Sequence, residues 1–557
     1  MKTRFILPVA VLCLGLNSCK SDPASPPPAE TIAIREWKPT DTRSIFGNRA
    51  QRGLLLHTKK ADPGYVLFNP SNSTLTYLMD KQGRIVHRWK GELHTILSAY
   101  LLENGHLVRL ERDTDFPTFA AGGIAGRIRE YDWDGNLLWD FEYASDKELI
   151  HHDIEVMPNG NILAISYEVK NPEEAIQAGM NPAFVAKSGV WPDKIIEIRP
   201  VKPMGGEIVW EWHLWDHLVQ DFDPSRDNYG VIKDHPGKIN INIHGEPETQ
   251  PMTAEQVEQV VKMGMLTANA TADNQASDIT HSNAISYHPS LDQIVFSIKR
   301  FGEIYIIDHG SSVEEAKGST GGKWGHGGDV LYRWGNPANY GRGGPEDRVL
   351  YEQHDVKWIR EGSPGAGHLM VFNNDIRMPG NKFPSMFAAI MAAGSPDPEL
   401  PLTDIANYSA VLEFAPPQNA DGSYQLPENA PFGPEAVVWG YTAPDKYSFY
   451  SAFISGAHRL TNGHTLITSG AQGRFFEVTP EHEIVWEYWN PYNFNYVLPD
   501  GTAAHPGKMV YTQFRSTPYP VDFPAFANKK LEPIVPQPEP FIFKMPPKPP
   551  VAKAQAD

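Results

Sequence analysis

Short stretches that alternate apolar and polar residues recur along the chain. Gly126-Arg-Ile-Arg-Glu-Tyr131, Lys194-Ile-Ile-Glu-Ile198, Gly302-Glu-Ile-Tyr-Ile-Ile307 and Gly473-Arg-Phe-Phe-Glu-Val478 are the clearest. A period of two marks a half-buried antiparallel strand. Most of these strands lead into a second phrase: a turn, two apolar residues, then an aromatic, any residue and another aromatic. Six copies end at His87-Arg-Trp89, Trp139-Asp-Phe141, Trp210-Glu-Trp212, Tyr332-Arg-Trp334, Trp439-Gly-Tyr441 and Trp486-Glu-Tyr488. The unit returns about every fifty residues where nothing is inserted, which is blade spacing. About four strands per unit and six units predict an all-β, six-bladed β-propeller with the outer aromatics packed between neighbouring blades. Six unrelated hairpins in a sandwich would have no reason to repeat the aromatic pair at one phase.

A second phrase opens each unit less regularly. Its best copy is His151-His152-Asp153-Ile-Glu-Val-Met157-Pro158-Asn159-Gly160-Asn161, a His-led strand followed by an Asn-Gly hairpin turn. Variants stand at His281-Ser282-Asn283, Gln353-His354-Asp355 and Ser455-Gly456-Ala457-His458. The innermost strand of a blade points its first residues into the central channel. His152, His281 with Asn283, His354, and Ser455 or His458 are therefore expected to converge from different blades. A slip of one residue would put His151 in place of His152. Asp153 and Asp355 each follow a channel histidine, and either orient its ring or cap the local backbone.

The excess length lies between blades. Residues 168–192 and 213–280 are insertions, the second with a helical stretch from Ala254 to Met265. Residues 309–327 and 376–432 are further long loops, of the kind that form lids or rims. Residues 34–512 are read as the propeller, after a short lead-in over 34–62, and 513–557 as a Pro-rich strap or tail. Glycine (46) and proline (49) suit many turns, and the formal charge of -18 disfavours a nucleic-acid partner. Residues 1–18 have the basic start and apolar run of a signal peptide. Leu16-Asn17-Ser18-Cys19 resembles a bacterial lipobox with Cys19 lipidated, and 19–33 reads as a tether. That implies a periplasmic domain held to a membrane only by its lipid anchor. Lys20 favours the outer membrane by resemblance to bacterial sorting rules. The second cysteine, Cys13, lies in the signal, so the mature chain is expected to fold without a disulfide.

The chemistry is bounded by what the chain lacks. It has no His-Glu-x-x-His and no cysteine ligands for zinc, no Gly-x-Ser-x-Gly elbow, and no phosphate-binding Gly-rich loop. No cofactor and no metal are expected. On the residues alone, a non-catalytic propeller that binds a ligand or partner stays open.

Several phrases in order are similar to the bacterial arylsulfate sulfotransferases. They are Gly64-Tyr-Val-Leu-Phe68 with Tyr77-Leu-Met-Asp80, the His151–Asn161 phrase, Leu331-Tyr-Arg-Trp-Gly-Asn336, Gln353-His-Asp355, Gly365–Asn374, Ser455–Leu460 and Gly473–Pro480. The resemblance implies a periplasmic six-bladed propeller. It implies transfer of a sulfuryl group from an aryl sulfate to a phenol acceptor by a ping-pong route through a sulfated histidine, without a nucleotide donor. It puts the nucleophile at His354, the His-x-Asn pair at His281 and Asn283, the following arginine at Arg300, and the upstream channel histidine at His152. Ser455 and His458 fall in the substrate-binding region. The chemistry suits these residues. Imidazole is a neutral nucleophile at working pH, and donors such as Arg300, Asn283 and further histidines would meet the charge on the peripheral oxygens.

Overall fold

The computed structural model describes residues 32–33, 46–47, 50–113, 118–243, 252–262, 266–377, 407–493 and 510–542. The expected signal peptide, Cys19 and most of the tether lie outside these residues. Six antiparallel sheets follow one another as blades. From the inside outward, blade I is Ser516–Tyr519, Tyr65–Phe68, Leu75–Asp80 and Ile85–Lys90. Blade II is Thr95–Leu101, Leu107–Arg112, Gly126–Tyr131 and Leu137–Glu142. Blade III is Glu148–Val156, Ile162–Glu168, Asp193–Pro200 and Gly206–His213. Blade IV is Ser282–His288, Gln293–Ile298, Glu303–Asp308 and Tyr332–Trp334. Blade V is His354–Trp358, Leu369–Arg377, Asn407–Phe414 and Trp439–Tyr441. Blade VI is Gly456–Arg459, Thr465–Ser469, Arg474–Val478 and Ile484–Trp489.

The repeated aromatics hold the ring together. Each blade's outer aromatic pair packs into an apolar cluster shared with the next blade. Trp334 of blade IV stacks on Phe414 of blade V at 4.1 Å. A tryptophan of every pair also donates its indole N–H to a carbonyl between the third and outer strands of the following blade. The partners run Trp89 to Asp132 (3.0 Å), Trp139 to Gly205 (2.7 Å) and Trp210 to Ser311 (3.0 Å). Trp334 to Pro434 (3.1 Å), Trp439 to Pro480 (3.0 Å) and Trp486 to Lys81 (2.8 Å) complete the circuit. This explains why every pair contains a tryptophan, at its first position in four blades and at its second in blades I and IV. It fills the gap between blades and satisfies its own polar atom and a turn carbonyl, at about 1 kcal/mol net per bond.

The long insertions do not all lie between blades: 168–192 and 309–327 fall within blades III and IV, and 376–432 contains the third strand of blade V, Asn407–Phe414. Two boundaries also differ from the sequence reading. Residues 513–519 are not tail. Ser516–Tyr519 is the innermost strand of blade I, paired with Tyr65–Phe68, and it closes the ring. Pro518 fits there because an innermost strand has one unpaired edge where a missing N–H costs nothing. The lead-in likewise contains a strand. Gly53–His57 is a fifth strand on blade VI, outside Ile484–Trp489 and paired with it, and Ile32–Ala33 pairs with it in turn. The insertion helix runs Ala254–Lys262; the remainder of the expected stretch, 263–265, lies outside the described residues. Among the described residues no helix is long and apolar enough to cross a membrane.

Candidate functional site

The innermost strands of blades II to V break register at the same place. The shifts lie between Thr95 and Ala99, Ile150 and Ile154, Ser282 and Ala284, and His354 and Lys357. Leu97, His152, His281 and Asp355 at or beside these breaks have φ of 56–59°. A bulge with a left-handed residue costs roughly 1–2 kcal/mol but turns side chains out of the strand's alternation. Here it gathers imidazoles from three blades near the side where the insertions 168–192 and 213–280 leave their strands.

The gathered groups are His152, His281 and His354, with His151 behind. The His152 and His281 rings meet edge to face, centroids 4.5 Å apart. His151 joins its Nδ1 to His152 Nδ1 at 2.7 Å, its Nε2 to Asp193 Oδ1 at 3.0 Å, and stacks on Tyr167 at 3.7 Å. His152 is thus the ring that faces the cluster. Gly123 lies flat against it, since a Cβ there would stand 2.5 Å from its Cε1 and Nε2. His281 Nδ1 contacts Asp278 Oδ2 at 2.5 Å, and Arg300 Nη2 reaches the same oxygen at 3.4 Å. The Arg300 Nε has no hydrogen-bond partner among the described residues.

His354 is pinned at one nitrogen. Its Nδ1–H is offered to the Glu352 carbonyl at 2.8 Å and Asn374 Oδ1 at 2.9 Å, both acceptors. The lone pair therefore sits on Nε2, which accepts a 3.2 Å bond from Ile454 N–H. Ile454 has φ of 50°, an outlier for a β-branched residue. Burial, then the nearby Lys299 charge, pushes His354 down to about 3, so it stays neutral. Burial, then His281 and the neighbouring imidazoles, also holds His152 well below the usual 6.5. Burial lowers His281 too, outweighing Asp278.

Asn283 reaches the site indirectly. It is fully buried and its Nδ2 donates to the Gln353 carbonyl at 2.8 Å, holding the segment that carries His354. The expected pairing of Ser455 and His458 with this cluster is not what the structure brings together. Ser455 Oγ is spent on Ser451 Oγ at 2.8 Å and on Gly470 N–H at 2.9 Å. His458 stands three residues further along its strand, about 10 Å down the channel. It accepts from Lys357 Nζ at 3.1 Å, and both line a separate cavity of about 240 Å³ beside the hairpin turns, with Arg360 and Tyr519. One strand cannot present residues this far apart to the same point. Burial brings Lys357 down to about 8 there.

Asp153 and Asp355 do not orient their histidines. Asp153 does cap its own strand, accepting from Ile154 N–H at 2.9 Å, but its main partner is Arg515. Arg515 Nη1 bonds Asp153 Oδ2 at 2.9 Å and Tyr100 at 2.7 Å, and Nε lies 3.1 Å from Asp355 Oδ1. The guanidinium ties blades III and V together across the channel from the residue just before the closing strand.

Sequence reasoning missed Lys299, Glu352, Asp278 and the Asp193–His151 pair. Lys299 Nζ pairs with Glu352 Oε2 at 2.7 Å. Burial alone would raise Glu352, yet Lys299 and Arg300 hold it at about 2. The signal for these residues was their adjacency to repeat phrases, as Lys299 precedes Arg300 and Glu352 precedes Gln353. Among the described residues no group of three or more His, Cys, Asp or Glu side chains is arranged to hold a metal ion.

Comparison with known proteins bears on this geometry. No curated protein sequence matches. The chain is similar in structure to a protein of unknown function from Bacteroides caccae, at 10% identity and TM-score 0.36, over 82% of this chain and 98% of that one. It is similar to the β-propeller domain of Myceliophteria thermophila Cps50 (Swd1), at 10% identity and TM-score 0.35, over 79% and 90%. A streptogramin B lyase follows at 10% identity and TM-score 0.34, over 82% and 91%. The family profile described as Arylsulfotransferase (ASST) matches residues 50–494, which take in all the outer aromatic pairs and the three gathered histidines. The chain belongs to the arylsulfotransferase family.

Proposed function

We propose that the protein transfers a sulfuryl group from an aryl sulfate ester to a phenol in two steps, through a covalent sulfohistidine at His354. The observation that carries this reading is the fixed tautomer of His354. Two acceptors hold its Nδ1–H, so the lone pair is on Nε2, the nucleophilic nitrogen, in a pocket of imidazoles and two cations.

In the donor step His354 Nε2 attacks sulfur, the S–O bond to the phenol breaks, and a proton meets the departing phenoxide. The Ile454 N–H must then turn from Nε2 to a new acceptor. The donor anion carries charge over its peripheral oxygens. Lys299 and Arg300 supply fixed positive charge to them, while Asp278 holds the His281 ring in place. In the acceptor step a second phenol attacks the sulfohistidine and loses its proton to a neighbouring imidazole. His152 takes this acid–base role, and Asn283 holds the segment carrying His354. A monoanionic sulfuryl ester asks less of the site than a phosphoryl dianion, so these charges suffice without a nucleotide.

The test mixes the protein with a chromogenic aryl sulfate and a phenol acceptor, with no nucleotide. Acceptor-dependent release of the chromogenic phenol is expected, and mass spectrometry after donor alone should find one sulfuryl group on His354. His354→Asn should lower turnover by 10³-fold or more and abolish the adduct. Release that ignores the acceptor would make the protein a hydrolase, and an adduct elsewhere would overturn the nucleophile.

The lipobox reading further places the mature chain on a periplasmic membrane face through Cys19, with no other membrane contact. That placement rests on the sequence pattern alone.

A further inference from the structure

Resting on the sulfuryl-transfer reading, we propose that Asp193 and His151 form a buried positioning relay that fixes the proton on His152. In this relay His152 Nε2 is left bare as the acid–base nitrogen.

The hydrogen-bond polarity is determined from one end. Ser282 N–H donates to Asp193 Oδ2 at 2.8 Å, which orients the carboxylate. Asp193 Oδ1 accepts only, so His151 donates from Nε2 at 3.0 Å. A neutral His151 then has its lone pair on Nδ1. The 2.7 Å contact requires one donor, so His152 supplies Nδ1–H. Its lone pair falls on Nε2, which has no hydrogen-bond partner among the described residues. All three side chains are at least 97% buried, so no water competes to set the tautomer. The Tyr167 ring under His151 and the Gly123 backbone against His152 fix the two imidazoles, which stand at 85° to each other.

The proton balance follows. In the acceptor step the phenol O–H bond breaks and its proton goes to His152 Nε2. The S–O bond forms as the S–N bond to His354 breaks, and that electron pair returns to His354 Nε2. The imidazolium formed at His152 is stabilised through His151 by the Asp193 carboxylate. The donor step is the reverse: it starts from His152 protonated at Nε2, by the proton left there in the preceding acceptor step or taken up from solvent before the first turnover, and that proton goes to the leaving phenoxide.

Asp193→Asn is the informative substitution, being nearly isosteric. The Ser282 N–H still demands an oxygen, so the new amide must turn its NH₂ to His151. That makes His151 Nε2 an acceptor and Nδ1 a donor, which makes His152 Nδ1 an acceptor and puts its proton on Nε2. One substitution thus inverts two imidazoles in sequence.

Histidine-selective ¹⁵N NMR of the full chain should read His152 as protonated at Nδ1 in the wild type and at Nε2 in Asp193→Asn. Donors with poorly leaving phenols should lose about 10²–10⁴-fold in kcat/KM, while a nitrophenyl donor should lose far less. His151→Phe, which keeps the ring stack on Tyr167, should show the same steepened dependence on leaving group. An unchanged tautomer in Asp193→Asn, or a loss equal for every donor, would overturn the relay. A tautomer that inverts in a protein that turns over no aryl sulfate would keep the relay and discard the sulfuryl reading.

Discussion

Replacing Arg515 with methionine tests the central tie of the channel. Arg515 is 6% exposed, and the two carboxylates it serves, Asp153 and Asp355, are at most 1% exposed. Asp355 keeps a second cation, since Lys357 Nζ stands 2.8 Å from its Oδ2. Asp153 keeps only neutral donors: Ser98 and Tyr100 hydroxyls and the N–H groups of Ile154 and Ile285. The substitution therefore leaves one carboxylate without a counter-ion, not two. Breaking a buried ion pair from one side costs about 3–5 kcal/mol. With about 2.1 cal/mol/K of unfolding entropy per residue, a propeller of ~450 residues has roughly 0.9 kcal/mol/K, so Tm should fall by about 3–5 °C. Differential scanning calorimetry at a fixed scan rate reads this. The control is Asp153→Asn in the Arg515→Met background, which removes the stranded charge and should restore at least half of the loss. A drop in Tm below about 1 °C in the single variant, or no recovery in the double, would refute the view of Arg515 as the counter-ion of Asp153.

Two further outcomes follow from the site and the leader. Because burial and Lys299 hold His354 near 3, the pre-steady-state release of phenol should show no acid limb from His354 between pH 7 and pH 4. A nucleophile at the ordinary 6.5 would lose about 100-fold by pH 4.5, so an acid limb near 6.5 would contradict the assigned state. The same depression bears on stability. The unfolded chain binds this proton below pH 6.5 and the folded chain only below about 3, so stability contributed here is present above pH 6.5 and declines as pH falls toward 3. Cys19→Ala should move the protein from the membrane fraction to the soluble periplasmic fraction in a Gram-negative host, read by blotting; persistence in the membrane would refute the lipid anchor.

The blade count was legible because the outer aromatics do two jobs at one position. Trp139 and Trp486 must both fill an inter-blade gap and reach a turn carbonyl, so the same residue type recurs at the same phase. The closing strand was not legible, because Ser516–Tyr519 has neither the histidine start nor the hairpin turn of its fellows and carries a proline. His152, His281 and His354 could be picked out because each sits at a bulge that repeats along the chain. Asp193 and Asp278 could not, since their sequence neighbours say nothing about which blade they back onto. Ser455 and His458 show the limit of phase arguments. The phrase predicts where a strand starts, but a side chain three residues on belongs to a different depth of the channel.

The fifth strand on blade VI gives the chain a strain relief. Gly53–His57 lies outside Ile484–Trp489, and the two-residue Ile32–Ala33 lies outside it in turn, so a pull from the N-terminal side loads these outer ladders before the four inner strands. Tension arriving there works on the rim. Peeling those ladders would leave the four inner strands of blade VI in register and the Trp486 bond to Lys81 in place. Gly456–Arg459 borders the channel on the far side of the same sheet, so four strands stand between the tugged edge and the histidines. Such a domain can bear a pull on its outer edge while the 4.5 Å spacing of the His152 and His281 rings goes undisturbed.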